Sequence, residues 1–363
     1  MLMSSSSIER LPTLRQVTMA LLDSGAPASS LRPGVLELVE ILRGSAADCF
    51  TQKEEIASGE TQTSSGIALS PTMAAMCAVD YVRTIMFLRG IHDAIIDVRK
   101  KAHDRPARIL YVGSGPFGTL AVPLMAAFDS SEAQFTILDI HAESVQSVQA
   151  VVDSLVLEPS VSDIVATDAL TFSIEPNRPP DIIVVETMRA CLDAEPQVAI
   201  TRHLLQQAPD ATFVPEEVSI DLMLVDPSRE FNLATPDDEA EPVDRDRVPL
   251  GSVFVVNRQT VSSWSGTEAD VIPGSTVQIP DSWYDRYQPM LFTTICVYQK
   301  HIIREYDSGL TCPRSLATVG SIHAGDLLQC SYVLGGDPHL NLRRVDEAEP
   351  GLVTLLQNKR MEP

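Results

Sequence analysis

The chain has 363 residues, of which 44% are hydrophobic and 21% charged, and this length predicts about two domains with sizeable cores. The formal net charge of −22 argues against nucleic acid or an anionic membrane as a partner, because phosphate binding depends on Lys and Arg. The six cysteines form no C-x-x-C pair and the seven histidines do not cluster near them, which argues against a disulfide framework or a metal site. We expect a reduced, cytoplasmic protein, since no apolar run resembles a signal peptide or reaches about 18 residues.

Residues 1–105 are predicted to form an N-terminal helical segment with a lid. Apolar residues at three- and four-residue spacing predict helices in VLELVEILRG and in TMAAMCAVDYVRTIMFLRGIHDAIIDV. The stretch between them, KEEIASGETQTSSGIALSPT, is polar and rich in Ser, Thr and Gly. This composition predicts a mobile loop, and such a loop can close over a bound ligand.

Residues 106–225 alternate strand-like and helix-like segments. The strand-like runs include ARILYVG, AQFTILDI, SDIVATDA, DIIVVET and EEVSIDLMLV, with TLAVPLMAAF, ESVQSVQAVVDSLV and PQVAITRHLLQQ between them. Repeated strand–helix units predict a Rossmann-like α/β domain, in which a doubly wound parallel sheet has helices on both faces.

Residues 226–363 differ in character. An acidic, Pro-rich connection leads into β-like runs separated by turn residues: GSVFVVNRQTVSSW, GSTVQIP, LFTTICVYQKHIIREY and LLQCSYVLG. The near absence of helical periodicity predicts a β-rich domain, to which we assign substrate binding or dimerisation.

The stretch ILYVGSGPFG places Gly113, Gly115 and Gly118 directly after a predicted strand. The G-x-G-x-x-G spacing is weak by itself, but a helix follows it and the next strand ends in Asp139. Such a carboxylate accepts hydrogen bonds from ribose hydroxyls, while the glycine turn lets a ligand approach the backbone. We therefore predict a nucleotide-type cofactor here.

Both NAD and S-adenosylmethionine (SAM) use this arrangement, and Phe117 favours SAM because its ring is expected to crowd a pyrophosphate. Asp168, after the third strand, is a candidate for the adenine edge, with a helix N-cap as the equally weighted alternative. The cofactor contacts predicted from these motifs are Gly113, Ser114, Gly115, Asp139, Ile140, Asp168 and Ala169.

These segments resemble class I SAM-dependent methyltransferases, and more narrowly the protein arginine methyltransferase group. Met76, Asp80, Arg83 and Thr84 match the helix that these enzymes place before the SAM domain. The resemblance implies that Arg83 pairs with the SAM carboxylate, a contact that a guanidinium makes well.

DIIVVETMRACLDAEP resembles the double-glutamate hairpin of the same group, with Glu186 and Glu195 nine positions apart. Two carboxylates can hold a guanidinium or ammonium and leave its near nitrogen more nucleophilic toward the sulfonium methyl. The resemblance thus implies catalytic roles for both residues, whereas capping of a helix by Glu186 and a solvated Glu195 are the structural alternatives.

Two departures bear on the substrate. The group's threonine-histidine-tryptophan loop has no clear match, and SSWSGT around Trp264 is a poor candidate. Arg189 puts a positive charge where a cationic substrate would be repelled.

The loop YVGSGPFG also resembles that of nicotianamine synthases, which use SAM as an aminocarboxypropyl donor, and related enzymes cyclise SAM to azetidine-2-carboxylate. The leading hypothesis is N-methyl transfer to an amine or guanidine of a small molecule or peptide, a cationic substrate being compatible with the net charge. Aminocarboxypropyl transfer or cyclisation of SAM is the first alternative, and a catalytically idle SAM-binding scaffold the second. The resemblance also implies a homodimer.

Overall fold

The computed structural model describes residues 5–46, 49–101, 104–231, 245–264, 270–281, 286–315 and 322–345. The helices are α1 Ser5–Leu22, α2 Arg32–Ser45, α3 Pro71–Cys77, α4 Tyr81–Lys101, α5 Val122–Ala127, α6 Ala142–Ser154, α7 Gln197–Gln207, α8 Pro227–Glu230 and α9 Arg258–Ser263. The strands are β1 Thr61–Thr63, β2 Gly66–Ala68, β3 Ala107–Val112, β4 Ala133–Asp139, β5 Val161–Ala166, β6 Ile182–Val185, β7 Thr212–Val214, β8 Glu217–Val225, β9 Arg247–Asn257, β10 Val271–Gln278, β11 Gln288–Tyr298, β12 His301–Ile303, β13 Arg314–Ser315, β14 Leu327–Val333 and β15 His339–Arg344.

The central element is a five-stranded parallel sheet in the order β5-β4-β3-β6-β7. The first strand in sequence, β3, lies in the middle, the chain runs outward through β4 and β5, and it then returns to the other side for β6 and β7. The order therefore reverses between β3 and β6, and ligands of open α/β sheets bind outside the carboxyl ends of the strands at such a point. The mixed α/β class with a Rossmann-like parallel sheet agrees with the sequence prediction.

The predicted β-rich half contains two antiparallel sheets. One has the order β12-β11-β8-β9, with β13 also paired to β11, and the other has the order β10-β14-β15. Strand β8 belongs to the first of these, although the expected boundary at 225/226 assigns it to the Rossmann-like domain. Its buried and half-buried residues alternate, which is typical of an antiparallel strand with one face on the core, whereas β6 is buried along its whole length.

The long helix predicted before the parallel sheet is divided into α3 and α4. The Asp80 carboxylate accepts a hydrogen bond from the backbone N of Arg83 at 3.2 Å, so it caps the start of α4. Ser70 caps α3 in the same way through the backbone N of Met73. The apolar periodicity runs through both helices, and this is why the sequence alone predicts one helix there.

The segment GSVFVVNRQTVSSW, predicted to be β-like, contains the second part of β9 and all of α9. Asn257 ends the strand and starts the helix, because its side chain accepts a hydrogen bond from the backbone N of Thr260 while the Thr260 hydroxyl accepts one from the backbone N of Asn257. Searched over the described part of the chain, no helix has the length and apolar character needed to cross a bilayer.

Candidate functional site

A cavity of about 330 Å³ lies at the carboxyl ends of β3, β4, β5 and β6, between the parallel sheet, α3 and the β1–β2 hairpin. The structure brings every residue predicted for the cofactor or for catalysis to its wall. These residues are Arg83, Gly113, Ser114, Gly115, Asp139, Ile140, Asp168, Ala169, Glu186 and Glu195. They come from six separate stretches of chain.

The glycine loop after β3 has a backbone that other residues rarely adopt. Gly113 has a φ of +81°, and a Cβ there would lie 2.6 Å from Thr187 Cγ2 and 2.8 Å from the Glu186 carbonyl oxygen. Gly115 has a φ of +57°. The first glycine is therefore needed for close contact with the end of β6, and the second for the turn.

Asp139 ends β4 beside this loop and is 8% exposed. Its carboxylate accepts hydrogen bonds from the backbone N of Gly115 at 2.8 Å and of His141 at 2.9 Å. Each carboxylate has about four lone-pair sites, so these two bonds orient the group and leave acceptor sites for hydroxyls. The geometry suits the ribose contact that the sequence predicts.

Phe117 does not have the position that we expect from the sequence. Its side chain is fully buried, packs edge-on against Phe50 with ring centroids 5.5 Å apart, and is absent from the cavity wall. The expectation that Phe117 crowds a pyrophosphate is wrong, because the ring points into the core. The preference for SAM must come from the other end of the cavity.

Asp168 is both a capping residue and a cavity residue, the two roles between which the sequence does not decide. Its carboxylate accepts a hydrogen bond from the backbone N of Leu170 at 2.9 Å, which makes it the cap of a local turn. The residue also lines the cavity, next to Ala169. Tyr111 lines the cavity as well, whereas Tyr81 does not.

Arg83 and Glu186 form an ion pair in which the guanidinium Nη2 donates to the Glu186 Oε2. Their side chains are only 9% and 6% exposed. Arg83 Nη1 donates to the Cys77 carbonyl oxygen at 3.0 Å, while Arg83 Nε is buried and has no hydrogen-bond partner among the described residues. An unpaired buried donor is costly, so this guanidinium retains capacity for another acceptor.

Glu195 is 5% exposed, and burial raises the pKa of its carboxyl to about 7, against smaller opposing effects of Arg189 and Arg83. Within the described part of the chain, its buried Oε1 has no hydrogen-bond partner. A carboxyl with a pKa near 7 can give and take a proton at neutral pH. Glu186 and Glu195 therefore differ in their partners, since Glu186 forms an ion pair with Arg83.

The loop that carries Glu195 is strained. Cys191, Leu192 and Ala194 have φ values of +63°, +57° and +65°. Side chains other than glycine seldom take this conformation, so the surroundings must hold it.

Within the described part of the chain, four hydrogen bonds from distant segments hold the backbone of this loop. The Tyr332 hydroxyl donates to the Leu192 carbonyl oxygen at 2.7 Å. The backbone N of Ile67 donates to the Ala194 carbonyl oxygen at 2.7 Å. The backbone N of Ala194 donates to the Pro338 carbonyl oxygen at 2.7 Å, and that of Cys191 to Thr293 Oγ1 at 2.9 Å.

The stretch predicted to be a mobile loop contains the β1–β2 hairpin, which covers the cavity. Thr63 and Ile67 line the cavity wall, and Thr61 Oγ1 lies 3.0 Å from His141 Nε2 beside Asp139. Composition predicts a mobile loop here, and the structure adds backbone pairing between Thr61–Thr63 and Gly66–Ala68, which composition alone does not reveal.

Sequence reasoning missed the contribution of the β-rich half to the cavity. Gly309, Leu310 and Arg314 line its wall. The Asp80 carboxylate fixes this segment to α4, accepting from Ser308 Oγ at 2.7 Å and from the backbone N of Gly309 at 3.0 Å. Asp80 belongs to the motif that resembles the methyltransferase helix, so the sequence pointed to it. No motif in the sequence pointed to residues 309–314.

The described residues include no cluster of side chains suited to bind a metal ion. Over the described ranges, no group of three or more His, Cys, Asp or Glu side chains is placed to hold an ion. The charged groups of the cavity wall are single carboxylates and arginines.

No family model matches the chain, and no curated protein matches it. Among solved structures, the chain is similar to protein arginine methyltransferase 10 of Arabidopsis thaliana, determined in an open conformation. The two are 12% identical, the match covers 71% of this chain and 95% of the other, and the TM-score is 0.42.

Proposed function

We propose that the protein is a SAM-dependent transferase and that its reaction is methyl transfer to a nitrogen of an amine or guanidine. The observation that carries the proposal is the convergence of Arg83, Glu186 and Glu195 on the same cavity as the glycine turn and Asp139. A ribose acceptor thus lies at one end, over β4, and a guanidinium with two buried carboxyls at the other, beside β6.

The residues present fit the methionine end of SAM. Arg83 Nε is a buried donor without a hydrogen-bond partner among the described residues. The carboxylate of SAM matches this need. Bound NAD has no carboxylate at that end, so the fit favours SAM on grounds independent of Phe117.

When bound, SAM supplies a methyl group on a sulfonium, and the electron pair of the broken S–CH₃ bond stays on sulfur to leave S-adenosylhomocysteine. In our proposal, Arg83 turns from Glu186 toward the SAM carboxylate. This exchange releases the Glu186 carboxylate to hold the acceptor nitrogen in line. Glu195 takes the proton that the nitrogen loses, since its pKa of about 7 suits a general base near neutrality.

The test is mass spectrometry of SAM incubated with the full-length protein and panels of amines, guanidines and cell extract. S-adenosylhomocysteine as by-product supports methyl transfer. Methylthioadenosine would instead show use of the aminocarboxypropyl arm, and SAM binding without consumption under any acceptor would support the idle scaffold.

The Glu186→Gln variant tests the catalytic assignment. We expect turnover to fall by about 10²- to 10³-fold with SAM affinity retained, because the amide cannot stabilise positive charge on the acceptor. Glu158→Gln is the matched control, since Glu158 is exposed and lies outside the cavity wall. Full activity of Glu186→Gln would return Glu186 to a structural role.

A further inference from the structure

The cavity has two chemically distinct ends. Asp139 and Asp168 lie at the ends of β4 and β5, where we place the nucleoside. Around the end of β6, the wall carries three guanidinium groups in a chain of net charge −22. They belong to Arg83, Arg189 and Arg314.

The acidic groups at this second end are already engaged or only partly ionised at neutral pH. The Asp80 carboxylate accepts hydrogen bonds from Ser308 and Gly309, and Glu186 is paired with Arg83. Glu195 is buried and its pKa is raised to about 7. When Arg83 turns to the SAM carboxylate, the charge of Glu186 is balanced by that of Arg189, so the acceptor end offers little net attraction to a simple cation.

Two of the three arginines also have assigned partners. Arg83 pairs with Glu186, and Arg314 Nη1 lies 3.5 Å from Asp193 Oδ2. Arg189 is exposed, lines the cavity and forms no ion pair with any described residue. Its positive charge lowers the pKa of the Glu195 carboxyl, whereas the negative charge of the exposed Glu60 raises that pKa. One free guanidinium thus borders the place where the acceptor nitrogen must lie.

We infer that the acceptor is a small amine or guanidine that carries its own carboxylate, as a free amino acid does, and that Arg189 binds this carboxylate. The inference rests on the proposed function and defines its substrate class. A guanidinium binds a carboxylate through two parallel N–H···O bonds, which fixes orientation as well as affinity. The acceptor nitrogen then lies toward Glu186 and Glu195, and its carboxylate lies toward the cavity mouth.

The test uses pairs of compounds that differ only by the carboxylate: arginine and agmatine, lysine and cadaverine, histidine and histamine. Binding of each to the complex of the protein with S-adenosylhomocysteine is measured by calorimetry, and turnover by S-adenosylhomocysteine release. We expect at least one amino acid to bind and react about 10- to 100-fold better than its decarboxylated counterpart, the range for loss of a charged hydrogen-bonded pair.

Variants assign the effect to Arg189. Arg189→Gln is expected to remove the preference within the pair by lowering affinity for the amino acid and leaving the amine unchanged, and Arg189→Lys to retain part of it. Arg343→Gln is the control, because Arg343 is exposed, bonds Gln329 on β14 and lies outside the cavity wall.

Three outcomes would overturn the inference: equal binding of both members in every pair, equal loss of both in Arg189→Gln, or no binding by any of the amino acids. Each is compatible with S-adenosylhomocysteine production from another acceptor in cell extract. In contrast, absence of both SAM binding and any by-product of SAM would contradict the proposed function itself. The two failures are thus distinguishable.

Discussion

At the scale of single residues, the cavity shows how environment separates carboxyl groups of similar chemistry. Asp139 is oriented by two backbone N–H donors, Glu186 is paired with a guanidinium, and Glu195 is buried with one oxygen unpartnered among the described residues. Burial raises the pKa of the Glu195 carboxyl, whereas hydrogen bonds orient Asp139 and an ion pair holds Glu186. The three groups are therefore suited to bind hydroxyls, hold positive charge and exchange a proton.

Replacing Asp139 with alanine should weaken SAM binding by about 2–3 kcal/mol, because charged hydrogen bonds to the ribose are lost. Calorimetry with SAM measures this directly. Asp163→Ala is the control, since Asp163 is an exposed acid on the neighbouring strand β5 and lies outside the cavity wall. Unchanged affinity in Asp139→Ala would remove Asp139 from the binding site.

Glu195 makes stability depend on pH. Its pKa is raised from 4.5 to about 7 in the folded state, so between these values the folded protein binds more protons than the unfolded chain and loses stability as pH rises. Glu195→Gln should therefore gain stability relative to the parent as pH rises from 5 to 8, by about 3 kcal/mol for a shift of this size. Urea unfolding at both pH values tests this, and a pH-independent difference would contradict it.

Titration of Glu195 also predicts how activity changes with pH. Turnover should rise as pH increases through about 7, because the ionised form of Glu195 is the base. In Glu195→Gln this rise should be lost, while Glu158→Gln should keep it.

At the scale of elements, the β1–β2 hairpin and the strained Glu195 loop support each other. The backbone N of Ile67 donates to the Ala194 carbonyl oxygen, and Gly66 lies so close that a Cβ there would be 2.6 Å from that oxygen. Closure of the cavity and placement of Glu195 thus share this contact between two elements far apart in sequence.

Gly66→Ala should disturb this contact and reduce turnover. Gly335→Ala is a matched control, because Gly335 also has a positive φ (+110°, against +131° at Gly66), yet a Cβ there meets nothing within 4 Å. Both variants should lose about 1 kcal/mol of stability from backbone strain, and Gly66→Ala should lose more because its Cβ would meet a backbone oxygen. Only Gly66→Ala should also lose activity, measured as by-product release, and equal activity of the two would separate the hairpin from catalysis.

At the scale of the whole molecule, α4 joins the parallel sheet to the β-rich half. Its first turn carries Arg83 in the cavity, and Asp80 before it binds the segment at Ser308 and Gly309. Farther along the helix, Asp93 accepts from His301 Nε2 at 2.8 Å. The parallel sheet and the β-rich half therefore line one cavity, and α4 contacts both of them.

Asp80→Ala should raise the KM for the acceptor more than the Kd for SAM, because it releases the 308–310 segment from α4 and leaves the Asp139 end intact. Steady-state kinetics and calorimetry separate the two quantities. Equal loss of both would indicate general destabilisation, which a thermal melt reports independently.

The homodimer, the cytoplasmic location and the domain boundaries stay predictions. Sedimentation analysis tests the homodimer.

Local sequence determined the glycine turn, the position of Asp139 and the parallel sheet, because turn chemistry and hydrophobic runs act over a few residues. Tertiary structure alone decided the direction of the Phe117 ring, the pairing of Arg83 with Glu186 across 103 positions and the presence of Arg314 in the cavity. It also decided that β8 joins the antiparallel sheet and that the polar stretch before α3 forms a hairpin. These features depend on contacts between distant segments, whose geometry is set only when the chain packs.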